Sequence, residues 1–481
     1  MRNNARHSDG NPRAATGYHA GSDKEATSSM NQLMPTAFDR VRDLTFDRSL
    51  AAMPAEVRHF AALLLLDTLG VAAASRDMEA AKIARETALD LYSPRPGGPA
   101  ARMLFDGRPA SVAGAAFAAA AQIDNLDAHD GYNPTKGHIG VAVVPALLCF
   151  AQSRSDLSGA EALAALIAGY EIGARAGIAL HATVSDYHTS GAWNALGVAA
   201  IGARLRGLTP AQLREALGIA EYHGPRSQMM RVIDVPTMLH DGSAWGALAG
   251  ATAVFLAERG FTGAPAITVE AADVADTWRD LGEAWVVDRH YIKPYPVCRW
   301  IHALVGAALE LRERHALDSR DIVKIKLSAF HEATRLYRAV PETTAVAQYA
   351  ISFPVAAAFA RGRVGVAEIT GAGLTDAEVA RLVAATEVCE SREYSAQFPV
   401  GRWGDVVVTL ANGRSFSSGP RDARGGPENP LKEDEILAKF MDFAVPAIGA
   451  RRAGDLRDAV LRLEKPGSAF SPVIELVCAG G

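Results

Sequence analysis

Five stretches in the first half of this chain leave little choice of fold. AALLLLDTLGVAAAS (61–75), ASVAGAAFAAAAQIDN (110–125), AVVPALLCFAQ (142–152), GAEALAALIAGYEIGARAGIAL (159–180) and GAWNALGVAAIGARLRGL (191–208) are rich in alanine and apolar on most helical faces. A helix that is apolar all round has no side to give to water, so it packs among other helices. TPAQLREALGIAEYHG (209–224) adds a helix that Thr209 can cap, and WGALAGATAVFLAERGFTG (245–263) adds one that ends at glycines. From Pro35 to about Arg259 the expectation is therefore all-α.

Beyond that point the pattern changes. WVVDRHYIKPYP (285–296) is extended in character, because its prolines exclude a continuous helix. DIVKIKLSAF (321–330) alternates as a half-buried strand does, and DVVVTLANGRSFSS (405–418) reads as a hairpin turning at Asn412-Gly413. Helices are expected between these strands at 298–314, 348–362 and 375–388. A loop rich in Pro and Gly (418–430) then leads to terminal helices that can pack back on the first half. The fold class is mainly α with a smaller α+β domain. The large all-α domain takes residues 35–278 and 425–481, and an α+β lid is inserted at 279–424. Residues 1–34 are polar and lack the apolar core of a secretory signal, so they read as a disordered tail or an over-long start.

Composition narrows the function classes. Hydrophobic residues make up 49% of the 481 and charged residues 21%, the balance of a globular protein with ample core. A net charge of −5 weighs against nucleic acid as a partner. Cys149, Cys298, Cys389 and Cys478 lie too far apart for a sequence-local zinc or iron–sulfur site. Nor do they suggest a disulfide framework, which points to a reducing, cytoplasmic compartment. Small residues and charges interrupt the apolar stretches, so no membrane span is expected.

Four concentrations of reactive side chains stand out. DNLDAHDGYNPTKGHIGVAVVP (124–145) sets Asp124, Asp127, His129, Asp130, Lys136 and His138 against the start of an apolar helix. Taken singly, each acid is most simply a helix cap. Taken together, with Gly131, Pro134 and Gly137 bending the chain, they can face one cavity. SDYHTSGAWNALG (185–197) places His188 at a helix mouth, where Thr189 or Ser190 can cap. In YHGPRSQMMRVIDVPTMLHDGSAWG (222–246), Arg226, Arg231, His240 and Asp241 lie among apolar residues; arginine suits carboxylate capture, while an Arg231–Asp234 salt bridge is the structural alternative. YIKPYPVCRWIH (291–302) offers Lys293, Tyr295, Arg299 and His302 beside a rigid turn, as a pocket wall or as surface charge.

These motifs, with LLLDTLGVAAAS, GHIGVAVVPALL, DYHTSGAWNALGVAA, DGSAWGALAGATAVFLAERGFTG and the VVVTLANGR hairpin, resemble in order and spacing the MmgE/PrpD family. The family includes 2-methylcitrate dehydratases, cis-aconitate decarboxylases and an iminodisuccinate epimerase. The resemblance implies a helical body and an α+β lid, a homodimer, a site between the domains, and no metal or organic cofactor. It also implies an acidic site residue at Asp124 or Asp127, site histidines at His138 and His188, and a lid-side lysine at Lys293. Three positions depart from the decarboxylase pattern: Thr237 stands for a lysine, Cys298 for a histidine, and Val355 for a tyrosine, with Tyr349 nearby but out of register.

Dehydration, decarboxylation and epimerisation of a polycarboxylic acid all build negative charge beside an existing carboxylate. Cations holding the carboxylates offset that charge, and a positioned base moves the proton. The expected roles are His138 or His188 as base and the other as acid, with Asp124 or Asp127 orienting an imidazole. Lys293, Arg226 and Arg299 would bind carboxylates, and Lys136 or His240 would substitute for the missing lysine. The leading expectation is a cofactor-independent hydro-lyase of the 2-methylcitrate dehydratase kind, in propionate metabolism. An epimerase, isomerase or decarboxylase is the alternative within catalysis. A metal-dependent hydrolase and a non-catalytic carboxylate binder are the readings from other classes.

Overall fold

The computed structural model describes residues 35–480; the expected tail at 1–34 lies outside the described residues. The alanine-rich stretches form Ala55–Ser75, Val112–Asp124, Gly140–Ala151, Gly159–Thr183, Gly191–Arg206, Pro210–His223 and Ser243–Glu258. Val112–Asp124 and Gly140–Ala151 are buried along almost their whole length, as helices without a polar face must be. Thr209 caps as expected, its hydroxyl accepting from Gln212 N at 3.2 Å while the Gln212 side chain accepts from Thr209 N.

Small residues set how closely these helices approach. Gly169 and Gly197 lie where Gly159–Thr183 crosses Gly191–Arg206, and a Cβ on Gly197 would sit 2.4 Å from the Gly169 carbonyl oxygen. Ala55–Ser75 and Gly159–Thr183 are long and apolar enough to cross a membrane, which corrects the expectation that small residues and charges would disqualify every stretch. Both lie mostly inside the protein, with 94% of the apolar window of Gly159–Thr183 buried, so their hydrophobicity is that of core helices.

The expected all-α first half is interrupted by a two-stranded antiparallel sheet of Ala100–Arg102 with Pro109–Ser111, and the main sheet lies between residues 322 and 417. Ile322–Ala329 is its centre, antiparallel to Gly404–Leu410, which pairs with Ser415–Ser417 across the expected hairpin. Thr386–Glu390 pairs parallel to Ile322–Ala329 on the other edge. The sequence placed a helix over 375–388, and the helix stops at Ala384. The remainder becomes a half-exposed edge strand, where backbone pairing outweighs a weak helical pattern. Behind the sheet lies His302–Arg314, and Ser352–Arg361 packs beside that helix.

The terminal helices return to the first half. Glu433–Ile448 packs along Ala55–Ser75, with Phe440 against Gly70 and an ion pair of 2.6 Å between Lys439 and Asp67. A second anchor is Glu171, buried on Gly159–Thr183. Its carboxylate accepts from Val286 N and Val287 N at 2.7 and 2.9 Å and so fixes the approach of the 290–293 segment.

The glycine crossing predicts opposite effects at two glycines. Gly197→Ala should lower stability by about 1–3 kcal/mol through overpacking. Gly454→Ala, on the half-buried side of the amphipathic Ala450–Leu461 helix with no atom within 4 Å of a Cβ, should raise it by about 0.5–1 kcal/mol. Urea unfolding followed by circular dichroism measures both.

Candidate active site

The loop from Asp124 to His138 joins the buried Val112–Asp124 and Gly140–Ala151 helices, so it folds over the core rather than into solvent. Each acid then takes a different partner. Asp124 accepts from Ser243 N at 3.2 Å, at the start of Ser243–Glu258. Asp127 forms an ion pair with Lys293, which is 0% exposed and also donates to the Asp127 carbonyl at 3.2 Å. The backbone N–H of Asp127 donates to the Gln348 side chain. Asp130 accepts from the Tyr170 hydroxyl at 3.0 Å and from Gly140 N at 3.4 Å, so it is the member of the group that caps the next helix. Gly140 is required there, because a Cβ would lie 1.9 Å from an Asp130 carboxylate oxygen.

Two imidazoles meet between these acids. His129 and His138 are edge-to-face with ring centres 4.5 Å apart. His129 Nε2 lies 3.6 Å from Asp124 and 3.9 Å from Asp127. His138 Nδ1 is 2.6 Å from the Asp130 carbonyl oxygen. A carbonyl only accepts, so Nδ1 carries the hydrogen and Nε2 keeps its lone pair. That lone pair lies 3.6 Å from Asp241 Oδ2. Ser190 ties the two together, accepting from His138 N at 2.9 Å and donating to Asp241 Oδ2 at 2.5 Å.

Burial and local charge sort the protons. Burial, with the Lys293 charge behind it, pushes His138 well below the usual histidine range and takes His129 down to about 3. Burial, reinforced by the negative charge of Asp124, raises Asp241 to about 8. Asp124 is raised to about 6, also by burial, against the opposing pull of His240. Burial would raise Asp127 too, but Lys293, His138 and His129 outweigh it and hold that carboxylate below its usual range. Near neutral pH the site therefore holds one fixed ion pair, neutral imidazoles, and a protonated Asp241 facing the His138 lone pair.

The structure brings together Asp124, Asp127, His138, His240 and Lys293 of the expected site residues. His240 is buried with a left-handed backbone (φ +44), its Nδ1 3.5 Å from the Tyr349 hydroxyl. Tyr349 thus reaches the cluster despite its register, whereas Val355 is buried within Ser352–Arg361. The His138 imidazole is oriented by Asp130 and Asp241 rather than by Asp124 or Asp127, because those two face His129. His188 stacks 6.5 Å from His181 and its backbone pairs with Gln228, so its contacts lie away from the acids. Arg226 is exposed. Arg299 is buried in the wall, donating to the carbonyls of Ala423 and Arg424 and lying 4.4 Å over the Tyr291 ring. Asp234 pairs with Arg335 at 2.6 Å and not with Arg231. Lys136 lies 4.5 Å over the Tyr187 ring.

Asp241, His129, Ser190 and Gln348 join the cluster without having been given a part in its chemistry; Ser190, expected with Thr189 as a helix cap, stands at the start of Gly191–Arg206 but makes no capping bond there and turns its hydroxyl to Asp241. Asp241 was legible only as the neighbour of His240, and Gln348 carries no sequence signal. A cleft of about 770 Å³, lined by Asn125, Thr237, Met238, Thr343 and Thr344 among others, lies next to the loop at Asn125, and none of the clustered acids and histidines lines it. Among the described residues, no three His, Cys, Asp or Glu side chains are arranged to hold a metal ion.

Two family descriptions match in tandem, the MmgE/PrpD N-terminal domain over residues 43–278 and the MmgE/PrpD C-terminal domain over 295–465. The chain belongs to the MmgE/PrpD family. Similar MmgE/PrpD proteins include a human cis-aconitate decarboxylase, 24% identical over 68% of this chain and 71% of its own length. A cis-aconitate decarboxylase of Aspergillus terreus is 23% identical over 79% of this chain and 84% of its own length. Relative to the expected MmgE/PrpD decarboxylase pattern, Cys298 stands buried near Asp127 and Lys293, its thiol pushed up to about 12 by burial, so it is an inert wall rather than a proton carrier.

The raised Asp241 gives a pH signature. A carboxyl whose folded pKa lies above its unfolded value of about 3.9 favours the fold while protonated. That contribution is fully present below about 3.9 and is lost progressively as pH rises to about 8. Asp241→Asn should therefore flatten the fall in Tm between about pH 4 and about pH 8, measured by differential scanning calorimetry on both proteins.

Proposed function

We propose that this chain is a lyase that acts on a small di- or tricarboxylic acid and moves a proton at a carbon next to a carboxylate. The observation that carries the reading is the His138 Nε2 lone pair, 3.6 Å from an Asp241 carboxyl that stays protonated near neutral pH. The pair holds one proton in a water-poor site, beside the Lys293 charge that favours a developing enediolate. In decarboxylation, the bond to one carboxyl group breaks and CO₂ leaves. The electron pair stays on carbon, spread into the remaining unsaturation, and the His138–Asp241 pair supplies the proton that quenches it. In dehydration Nε2 takes the proton alpha to the carboxylate, the carbon–carbon double bond forms as the C–OH bond breaks, and the proton held on Asp241 leaves with the hydroxyl group as water.

Decarboxylation is supported by the names of the human and Aspergillus relatives. Dehydration, as of 2-methylcitrate, is supported by Thr237 and Cys298, which stand where a decarboxylase pattern has a lysine and a histidine. Both need the same proton pair.

The test offers cis-aconitate, citrate, 2-methylcitrate and iminodisuccinate to the purified protein and follows CO₂ release, loss of water and deuterium uptake from D₂O. Turnover of at least one is expected, persisting in excess chelator. His138→Asn should lower kcat by about 10²–10⁴-fold. His188→Asn separates the second expected histidine, and an unchanged kcat there would confine the proton chemistry to His138 and Asp241. Wild-type rates in His138→Asn would remove the proposal.

A further inference from the structure

Tyr170 touches both segments that build the proton-transfer site. It is 0% exposed and lies midway along the Gly159–Thr183 helix. Its hydroxyl donates to Asp130 Oδ1 at 3.0 Å, and its ring meets the His290 ring edge to face, with centres 5.1 Å apart. Asp130 belongs to the loop that ends at His138, and His290 opens the 290–293 segment that delivers Lys293.

On the first side, the contact reaches His138 through Asp130. The Asp130 carboxyl is held at both oxygens, by Tyr170 at Oδ1 and by Gly140 N at Oδ2. The peptide unit that follows is held as well. Its carbonyl accepts from His138 Nδ1 at 2.6 Å, and its N–H, that of Gly131, donates to the Tyr291 carbonyl at 3.1 Å. A peptide unit is planar, so fixing Asp130 on one side and Gly131 on the other fixes the direction of that carbonyl. The carbonyl in turn decides which imidazole nitrogen carries the hydrogen. There is little slack, because a Cβ on Gly140 would lie 1.9 Å from Asp130 Oδ1 and 2.3 Å from the Tyr170 hydroxyl.

On the second side, the contact reaches the Lys293 segment through stacked rings. His290 is 1% exposed; its Nδ1 donates to the Val286 carbonyl at 2.9 Å, and its other face stacks on Tyr132 with ring centres 4.9 Å apart. Glu171, the next residue on the same helix, accepts from Val286 N and Val287 N. Neighbouring residues of a helix point about 100° apart, so Tyr170 and Glu171 reach the two segments from one rigid element.

We propose that Tyr170 is a positioning residue for the proton transfer: its hydroxyl, through Asp130, keeps His138 in the tautomer whose Nε2 lone pair faces Asp241, and its ring, through His290, steadies the segment that carries Lys293. The inference rests on the lyase reading above and adds the residue that holds base and cation in register. Without the hydroxyl, Asp130 Oδ1 stays buried and has no donor, so the carboxyl turns and tilts the peptide that follows it. The His138 hydrogen then moves from Nδ1 to Nε2, with no net change in protons, and the lone pair that acts as base is lost.

The test is nitrogen-15 NMR of the histidine side chains near neutral pH, together with kcat and KM for whichever acid turns over. The His138 signals are identified by their absence in His138→Asn. Wild type is expected to show a protonated Nδ1 and a bare Nε2. Tyr170→Phe, checked by circular dichroism, should move a measurable share of the hydrogen to Nε2. Its kcat should fall by about 10–10²-fold while KM changes by less than about twofold. Gly140→Ala drives a methyl group between the Tyr170 hydroxyl and Asp130 and should reproduce the tautomer change, so it carries the comparison if Tyr170→Phe does not fold. An unchanged His138 tautomer in a folded variant overturns the proposal whatever its rate, since a merely structural loss would lower Tm and leave the imidazole as it was. A wild type that already carries the hydrogen on Nε2, or a shifted tautomer with wild-type kcat, overturns it too. A wild type that turns over none of the acids removes the lyase reading, and the tautomer comparison then still decides whether Tyr170 holds His138.

Discussion

The ion pair between Lys293 and Asp127 is the constraint on which the site depends. Removing both charges from water is unfavourable, and such a pair is retained only where geometry and further hydrogen bonds offset the loss. Here the Lys293 ammonium also donates to the Asp127 carbonyl, and Gln348 holds the Asp127 backbone. Lys293 arrives on the extended 290–293 segment, Asp127 on the loop after Val112–Asp124, and Gln348 on the Thr344–Gln348 helix. Three separate parts of the chain are therefore fixed at one point. Beneath them Lys439 donates to the Ala128 carbonyl at 2.8 Å while paired with Asp67, so the terminal helices also support the loop.

That fixed positive charge has a chemical consequence. Lys293 is among the causes that hold His129, His138, His240 and His302 below the usual histidine range, in each case after burial itself. Neutral imidazoles leave the acids around them without counter-charge, and Asp124, Asp130 and Asp241 all rise in response to burial. The proton that an acid step supplies is thus stored on the Asp241 carboxyl, and the lone pair that a base step needs sits on His138. The roles expected from side-chain type alone are exchanged by the environment.

Much of the architecture was legible because it follows from pattern. Helices apolar on every face had to be interior, Asn412-Gly413 had to turn a hairpin, and Thr209 was a recognisable cap. Thr386–Glu390 escaped because a short, half-exposed edge strand has no apolar period of its own. In the site, Asp124, Asp127, His138 and Lys293 were legible as ionisable groups set against apolar sequence. Asp241 and Gln348 were not, since each acts through a partner more than a hundred residues away. His188 shows the converse. Its place in a motif marked it, while its contacts run to His181.

The sequence by itself determined the helical core and its glycine-spaced crossings, because hydrophobic periodicity and the missing Cβ atoms act locally. It also determined that charge would have to be buried near residues 124–138, since the flanking helices leave no route to solvent. Only the tertiary structure decided which acid keeps its proton and which histidine presents a lone pair. Those properties depend on desolvation and on distances between side chains from remote segments, and neither quantity is written along the chain.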